Sequence, residues 1–317
     1  MGRYIARRSL QLIPVFFGAT LLIFFIVNVI PGDPVRALFG ERQVSESTLD
    51  EIRDRYNLND PFLVQYGKYM GLLPDGEEGF SGVLQGDFGE DFRGREVSSI
   101  MAETFPITIR LATAALVIEI VIGVAAGVLA GIRRGSFLDN LVLVSTTIVV
   151  AIPLFVLEYA AQLTFGLELG WFPIAGLREG WISYVLPAIM LAAISLAYAA
   201  RLTRTSVAEN LQADYVRTAR AKGMRQSRVI GRHVLRNSLI PVVTFIGVDF
   251  GFLLGGAVVT ETVFNIPGVG RAVYQGILSQ DGPVVVGIVT ALVIVFMLMN
   301  LIVDLFYGVL DPRIRYE

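Results

Sequence analysis

Four carboxylates, Glu119, Glu158, Asp249 and Asp304, stand inside stretches otherwise made of apolar residues. A charged side chain at the centre of a bilayer costs about 2.5–3.5 kcal/mol on insertion scales, so such groups face a bundle interior or a water-filled path. Two chemistries fit. The acids line the route of a polar solute, or they tie helices together with hydrogen bonds worth about 1 kcal/mol each. Both readings stand for Glu119, Glu158 and Asp249. Asp304 follows Asn300 by four residues, shares its helix face, and reads as a contact with a neighbouring helix. Other chemistries lack their residues. There is no cysteine, and the single histidine, His233, has no companion ligands or catalytic setting. No Gly-x-x-x-x-Gly-Lys-Ser/Thr occurs, so this chain carries no nucleotide site of that type, and no His-Glu-x-x-His occurs either.

The elements that position these acids must suit lipid. Of the 317 residues 54% are hydrophobic and only 17% charged, below the roughly 25% usual in soluble domains. Six apolar stretches reach the about 20 residues a spanning helix needs: about 10–30, 107–131, 138–165, 184–202, 239–262 and 284–309. The first is longer than a signal-peptide core and lacks a small-residue cleavage pattern, so it reads as a retained span. Pro153 interrupts the third span and predicts a kink. Gly247, Gly251, Gly255 and Gly256 predict close packing by the fifth span. The sequence is thus that of an all-α, polytopic membrane protein with one domain over 1–317.

Basic residues orient the spans. With a cytoplasmic N-terminus, segments 1–8, 132–137, 203–237 and 309–317 lie inside and hold most of the arginines, including Arg3, Arg7, Arg8, Arg133, Arg134, Arg204, Arg313 and Arg315. The short outer loops 166–182 and 263–283 hold only Arg178 and Arg271. This bias places both termini in the cytoplasm and the 31–103 segment outside. Within that segment, Ser47-Thr48-Leu49-Asp50 predicts a helix start, and Asp60 is expected to cap a second helix before Pro61. Phe62, Tyr66, Tyr69, Met70 and Leu73 then fall at helical spacing, with aromatics suited to a membrane interface. Residues 75–94 read as irregular loop. A net charge of −2 argues against a nucleic-acid partner.

The inner segment 203–237 carries most of the functional signal. Asp214 is expected to cap a short helix from Tyr215, Gly223 to end it in the left-handed conformation, and Ser227 to cap a second helix to about Arg236. Anionic lipid explains basic residues here, at about 1 kcal/mol each. It does not explain Ala219 and Ala221 beside Gly223, which suit close packing in a partner's groove.

Tyr215-Val216-Arg217-Thr218-Ala219-Arg220-Ala221-Lys222-Gly223, continued by Arg232 to Pro241, resembles the cytoplasmic EAA loop of permease subunits of ATP-binding-cassette (ABC) importers. The resemblance covers essentially the whole chain and is to the dipeptide, oligopeptide and nickel branch. Its further landmarks are Arg7-Arg8 with Pro14, Pro31-Gly32-Asp33-Pro34, Gly86-Asp87-Phe88-Gly89, Gly170-Trp171-Phe172-Pro173, Thr260-Glu261-Thr262-Val263-Phe264, Pro267-Gly268-Val269-Gly270, and the ending Asn300 to Asp304 through Asp311-Pro312-Arg313. The chain departs from the pattern with Arg217-Thr218-Ala219 at the Glu-Ala-Ala positions, with Asp281-Gly282-Pro283, and with Glu90 after Gly89.

The resemblance implies a type I ABC importer permease fold of six transmembrane helices and a multi-pass place in a prokaryotic cell membrane. It implies a second homologous permease subunit, two ATP-binding-cassette subunits or domains that carry the ATP and Mg, and an extracytoplasmic substrate-binding protein. Membrane lipid is the remaining partner. The resemblance further implies that no cofactor binds this chain and that it catalyses no reaction. Coupling to the ATPase is expected at Asp214, Tyr215, Arg217, Thr218, Ala219, Ala221, Lys222 and Gly223. Glu119, Glu158, Asp249 and the landmark Glu261 are the candidates for the translocation path. The cargo is a peptide, or, as the alternative within the family, nickel or another small solute. An ion channel lacks its Thr-Val-Gly-Tyr-Gly filter and arginine-rich sensor here, and the 203–237 segment disfavours a secondary transporter.

Overall fold

The computed structural model describes residues 2–29, 35–36, 44–76 and 79–310. The landmarks Pro31-Gly32-Asp33-Pro34 and Asp311-Pro312-Arg313, with Arg315, lie outside them. Thirteen α-helices occur among the described residues: α1 Gly2–Val29, α2 Glu46–Arg55, α3 Phe62–Tyr69, α4 Val97–Ile118, α5 Ala125–Ile132, α6 Phe137–Ala151, α7 Leu154–Ala161, α8 Ile182–Asn210, α9 Asp214–Ala221, α10 Gln226–Val229, α11 Leu235–Val263, α12 Val269–Leu278 and α13 Gly282–Leu310. Stretches of wider π-helix, Glu119–Val124 and Ile230–Val234, join α4 to α5 and α10 to α11, and a third, Gln162–Glu168, extends α7. Among the described residues no strand forms, only two isolated bridges. Five helices are long and apolar enough to cross a membrane, and the pair α6 and α7 makes a sixth.

That pair corrects the expected kink. Pro153 drives Ile152 into extended backbone (φ −101°, ψ 131°), as a residue before proline prefers. The helix ends at Ala151, restarts at Leu154, and turns by 104°.

The chain forms two compact units. The first comprises Met1–Ile107 and Pro267–Met297, the second Thr108–Ile266 and Leu298–Glu317. In the first, α1 is covered by α3. Phe24 packs on Phe62, Tyr66 and Tyr69 at ring distances of 5.5–5.6 Å. The Tyr66 hydroxyl pairs with Thr20 Oγ1 at 2.8 Å. These aromatics fill a core with α1, because Tyr66 and Met70 point inward from one face of α3. The caps also differ. Ser45, not Ser47, receives the Thr48 N–H (3.3 Å) and starts α2. Pro61 holds the cap position of α3, while Asp60 instead binds Lys68 Nζ at 2.8 Å, with Asp75 on the same ammonium at 3.4 Å. The hydrogen bond to Asp60 raises the Lys68 pKa above its usual value. Two of the three departures from the family pattern are accounted for locally. Glu90 meets Arg55 at 2.8 Å, and Asp281 accepts the Val284 N–H (3.4 Å) at the start of α13, its buried carboxyl pushed up by desolvation.

In the second unit α8 is the central rod, packed by α5, α6, α7, α11 and the first π stretch. Close approach needs small residues, and they come from α5. A Cβ on Gly127 would meet Ala200 O at 2.5 Å, and one on Gly131 would meet Arg204 O at 2.8 Å. The fifth-span glycines act less uniformly: Gly247 abuts Val303, but Gly255 faces open space. Arg204, counted at sequence level among the inner-loop cations, makes a bidentate pair with Asp139 at 2.7 and 2.8 Å. Asp139 also accepts the Gly135 N–H (2.8 Å), so one buried carboxylate joins the start of α6 to α8.

Candidate functional site

Helix α9 is built to show one face and bury the other. Its buried residues are Val216 and Ala219, one turn apart, which join Val207, Val229 and Val234 in a small apolar cluster. Eight residues make a helix about 12 Å long, too short to persist alone in water, so this cluster holds it. Asp214 is the first helical residue, not the cap. The cap position belongs to Ala213, and the exposed Asp214 carboxylate lies 3.5 Å from Arg217. The far end is as expected. Gly223 takes φ +76°, its N–H reaches Arg220 O (2.9 Å), and the Met224 N–H reaches Ala219 O (3.3 Å), a Schellman arrangement.

The remaining residues expected here, Tyr215, Arg217, Thr218, Ala221, Lys222 and Gly223, are exposed. Thr218 turns its hydroxyl back to Asp214 O at 2.9 Å, and the Tyr215 hydroxyl donates to Asn210 Oδ1. Ala219 is the exception: 5% exposed, it packs inside its own chain and offers nothing to a partner. Nor does Ser227 start a separate helix. α10 begins at Gln226 after Arg225 and runs through the π stretch into α11. α8 likewise continues past the fourth apolar stretch to Asn210, so the non-helical part of 203–237 is short.

The four candidate path acids all lie in the second unit, and three of them, Glu119, Glu158 and Glu261, are fully buried. They divide by their partners. Glu158 on α7 accepts a short hydrogen bond from Thr260 of α11, and Glu261, the next residue, accepts from Thr108 of α4 at 2.6 Å. Consecutive residues of α11 thus fasten it to two other helices. Gln162 adds to the same junction, donating to Ile174 O (2.7 Å) and Val263 O (3.3 Å), and the Gly176 N–H reaches Phe264 O at 2.9 Å.

Glu119 opens the first π stretch and neighbours Asp249 of α11, with Ser195 of α8 beside Asp249. Neither Glu119 oxygen has a hydrogen-bond donor, and one oxygen each of Asp249 (Oδ2) and Glu158 (Oε2) has none. Two ionised carboxylates side by side cannot hydrogen-bond each other; a proton on one of them lets it donate to the other. The side chain of Asp304 lies outside the described residues. Sequence reasoning missed Thr108 and took Thr260 only as part of a family landmark, since their hydroxyls carry no periodic signal. It also passed over Gly123, Gly127 and Gly131, whose four-residue spacing is the small-residue pattern of close-packed membrane helices.

The family "Binding-protein-dependent transport system inner membrane component" matches residues 123–316, and its N-terminal companion matches residues 1–112. The chain belongs to this family. Among relatives of this binding-protein-dependent transport component is the "Dipeptide transport system permease protein DppB" of Alkalihalophilus pseudofirmus, 37% identical over 100% of both chains. The "Glutathione transport system permease protein GsiC" of Escherichia coli strain K12 is 36% identical, again over 100% of both. Among solved structures, the MetNI methionine ABC transporter in an inward-facing conformation superposes with a TM-score of 0.57 at 19% identity, covering 68% of this chain and 97% of that one. The fold is that of a multi-pass ABC transporter permease subunit, and the chain is a transport component.

Proposed function

We propose that this chain forms part of the pore of an ABC importer that moves short peptides into a prokaryotic cell. The observation that carries this reading is α9, whose outward face is polar and whose end is set by Gly223. ATP and Mg reside on two separate ATPase subunits or domains. A second, homologous permease subunit completes the pore, and an extracytoplasmic binding protein delivers cargo to the side of the 31–103 segment. Both termini are cytoplasmic. ATP closes the ATPase dimer, α9 is carried with it, and the spans open outward to accept substrate. Peptide cargo is favoured because the relatives named for a dipeptide and for glutathione, itself a small peptide, align over their whole length.

Of the acids, Glu119 and its neighbour Asp249 are the candidates for the path, since neither oxygen of Glu119 has a donor. Glu158 and Glu261 hold α11 in place. The test of the whole reading is uptake into vesicles bearing the complete complex and its binding protein. ATP-dependent uptake of a labelled dipeptide is expected. Uptake of a nickel chelate with no peptide uptake would replace the cargo, and uptake without ATP would overturn the mechanism.

A further inference from the structure

Helix α8 is packed by α5, α6, α7 and α11, yet one row of its surface stays open. Tyr198, Thr205 and Glu209 are exposed and Arg201 is half-buried, at steps of three and four residues that place them on one face. The open sides of neighbouring helices are apolar, with Leu141, Val144 and Ile148 on α6 and Val243 and Phe252 on α11. The outward hydroxyls of α6 do not break that pattern, because Ser145 and Thr147 turn back to Val142 O (3.2 Å) and Leu143 O (2.7 Å). A face toward lipid tails is apolar; a polar row on the central rod borders water or a polar solute.

Arg201 is the charged member of this row that falls within the apolar stretch 184–202. Arg204, one turn on, is matched by Asp139. Arg201 has no such acid. Among the described residues its guanidinium makes no ion pair or hydrogen bond, and it lies over the Tyr198 ring, 5.3 Å from the ring centre. Helical side chains lean toward the N-terminus. Tyr198 lies in that direction, so the guanidinium is drawn away from the Asn210 end of α8. A ring face attracts a guanidinium without neutralising it, and the planar N–H fork suits the two oxygens of a carboxylate. Six residues earlier on the same helix, Ser195 stands beside Asp249, which neighbours Glu119. Six residues of helix rise about 9 Å, and an extended peptide of two or three residues spans about 7–10 Å.

We infer that Arg201, held by Tyr198, binds the terminal carboxylate of the peptide cargo. The Glu119–Asp249 pair then stands at about the distance of its ammonium group. This rests on the reading of the chain as a peptide importer subunit, and it says how that cargo is read: by its charged ends, whatever its side chains. A lipid phosphate is the other oxyanion within a guanidinium's reach, and the polar row beside Arg201 argues for cargo.

The test uses the complete complex in nanodiscs. The chain has no cysteine, so Thr205→Cys places a single thiol in it, one helical turn from Arg201. Its modification is followed by mass on this subunit, with a methanethiosulfonate that carries a sulfonate and one that carries a trimethylammonium. About 6 Å from a guanidinium, the sulfonate-to-ammonium rate ratio should be about tenfold higher than after Arg201→Gln, and Arg201→Lys should keep it. A saturating dipeptide with a free carboxylate should lower the ratio, and its C-terminal amide should not. ATP-dependent dipeptide uptake should fall about tenfold in Arg201→Gln and persist in Arg201→Lys. A ratio unchanged by Arg201→Gln overturns the inference, as does a ratio that the free dipeptide leaves unmoved or that its amide lowers equally. So does a ratio that rises when a phosphate-free detergent replaces the lipid, because Arg201 is then a lipid contact. If even the unaltered complex takes up no peptide, the proposed function fails instead, and the rate ratio still reports whether Arg201 is open to an anion.

Discussion

Helix α9 and the junction at the end of α11 dispose of polar groups in opposite ways. At the junction, Glu158 and Glu261 are buried and engaged by Thr260 and Thr108, so α11 is tied to α7 and α4 inside the chain. On α9 the polar residues face outward, and only Val216 and Ala219 bind it to the rest. Polar groups satisfied internally hold a fold together. Polar groups facing outward on a short helix held only by its apolar side leave a face open to water or to a partner. Glu119 differs from both: it is buried like the first set, yet neither of its oxygens has a donor, while Asp249 and Glu158 each leave one oxygen without one.

The strongest way to break this contrast is at Gly223. A β-branched residue there must hold a left-handed conformation that costs about 1–2 kcal/mol, which tilts or frays α9. Gly223→Val is expected to leave the spans inserted but to lower substrate uptake about tenfold, the factor that about 1.4 kcal/mol represents, while ATP hydrolysis continues or the ATPase is released. Parallel assays of hydrolysis and uptake in the reconstituted complex decide it. Full coupling would remove α9 as the transmission element.

The acids offer a second, smaller contrast. Thr260→Val deprives Glu158 of its donor and should destabilise the protein by about 1–3 kcal/mol, seen as earlier thermal unfolding, without altering substrate preference. Glu119→Gln and Asp249→Asn should do the reverse, changing uptake rate or preference with little change in unfolding. Identical behaviour of the three variants would erase the division drawn between junction and path.

The least effect is expected at Lys68. Its folded pKa is raised, so its pairing with Asp60 and Asp75 is complete below the ordinary lysine value and is lost only as pH rises through the higher folded one. Lys68→Met should cost no more than about 1 kcal/mol at neutral pH. Limited proteolysis of the 44–76 segment from neutral to strongly alkaline pH should show wild type and variant converging at the alkaline end. Equal susceptibility at every pH would mean the network holds nothing.

Much of this was legible in the residues themselves. Apolar length marked the spans, because lipid leaves few alternatives to helix. Gly223 marked the end of α9, because few residues other than glycine accept φ +76°. What was not legible depends on side chains meeting across elements. Asp214 looked like a cap, but the chain enters α9 one residue earlier, at Ala213. Ala219 looked like a partner contact because its size is compatible with either face; only the position of Val216 one turn before it shows which face is buried. The Asp139–Arg204 and Glu158–Thr260 pairs join residues 65 and 102 positions apart, separations at which no local pattern operates.

The most direct test of the central claim exploits the absence of cysteine from the chain. Single cysteines introduced as Ala221→Cys, on the exposed face of α9, and as Leu63→Cys, exposed on α3, can be titrated with a maleimide in the permease with and without its ATPase subunit. The account predicts that the ATPase shields position 221 and leaves position 63 reacting as before. Equal labelling of position 221 in both states would contradict it.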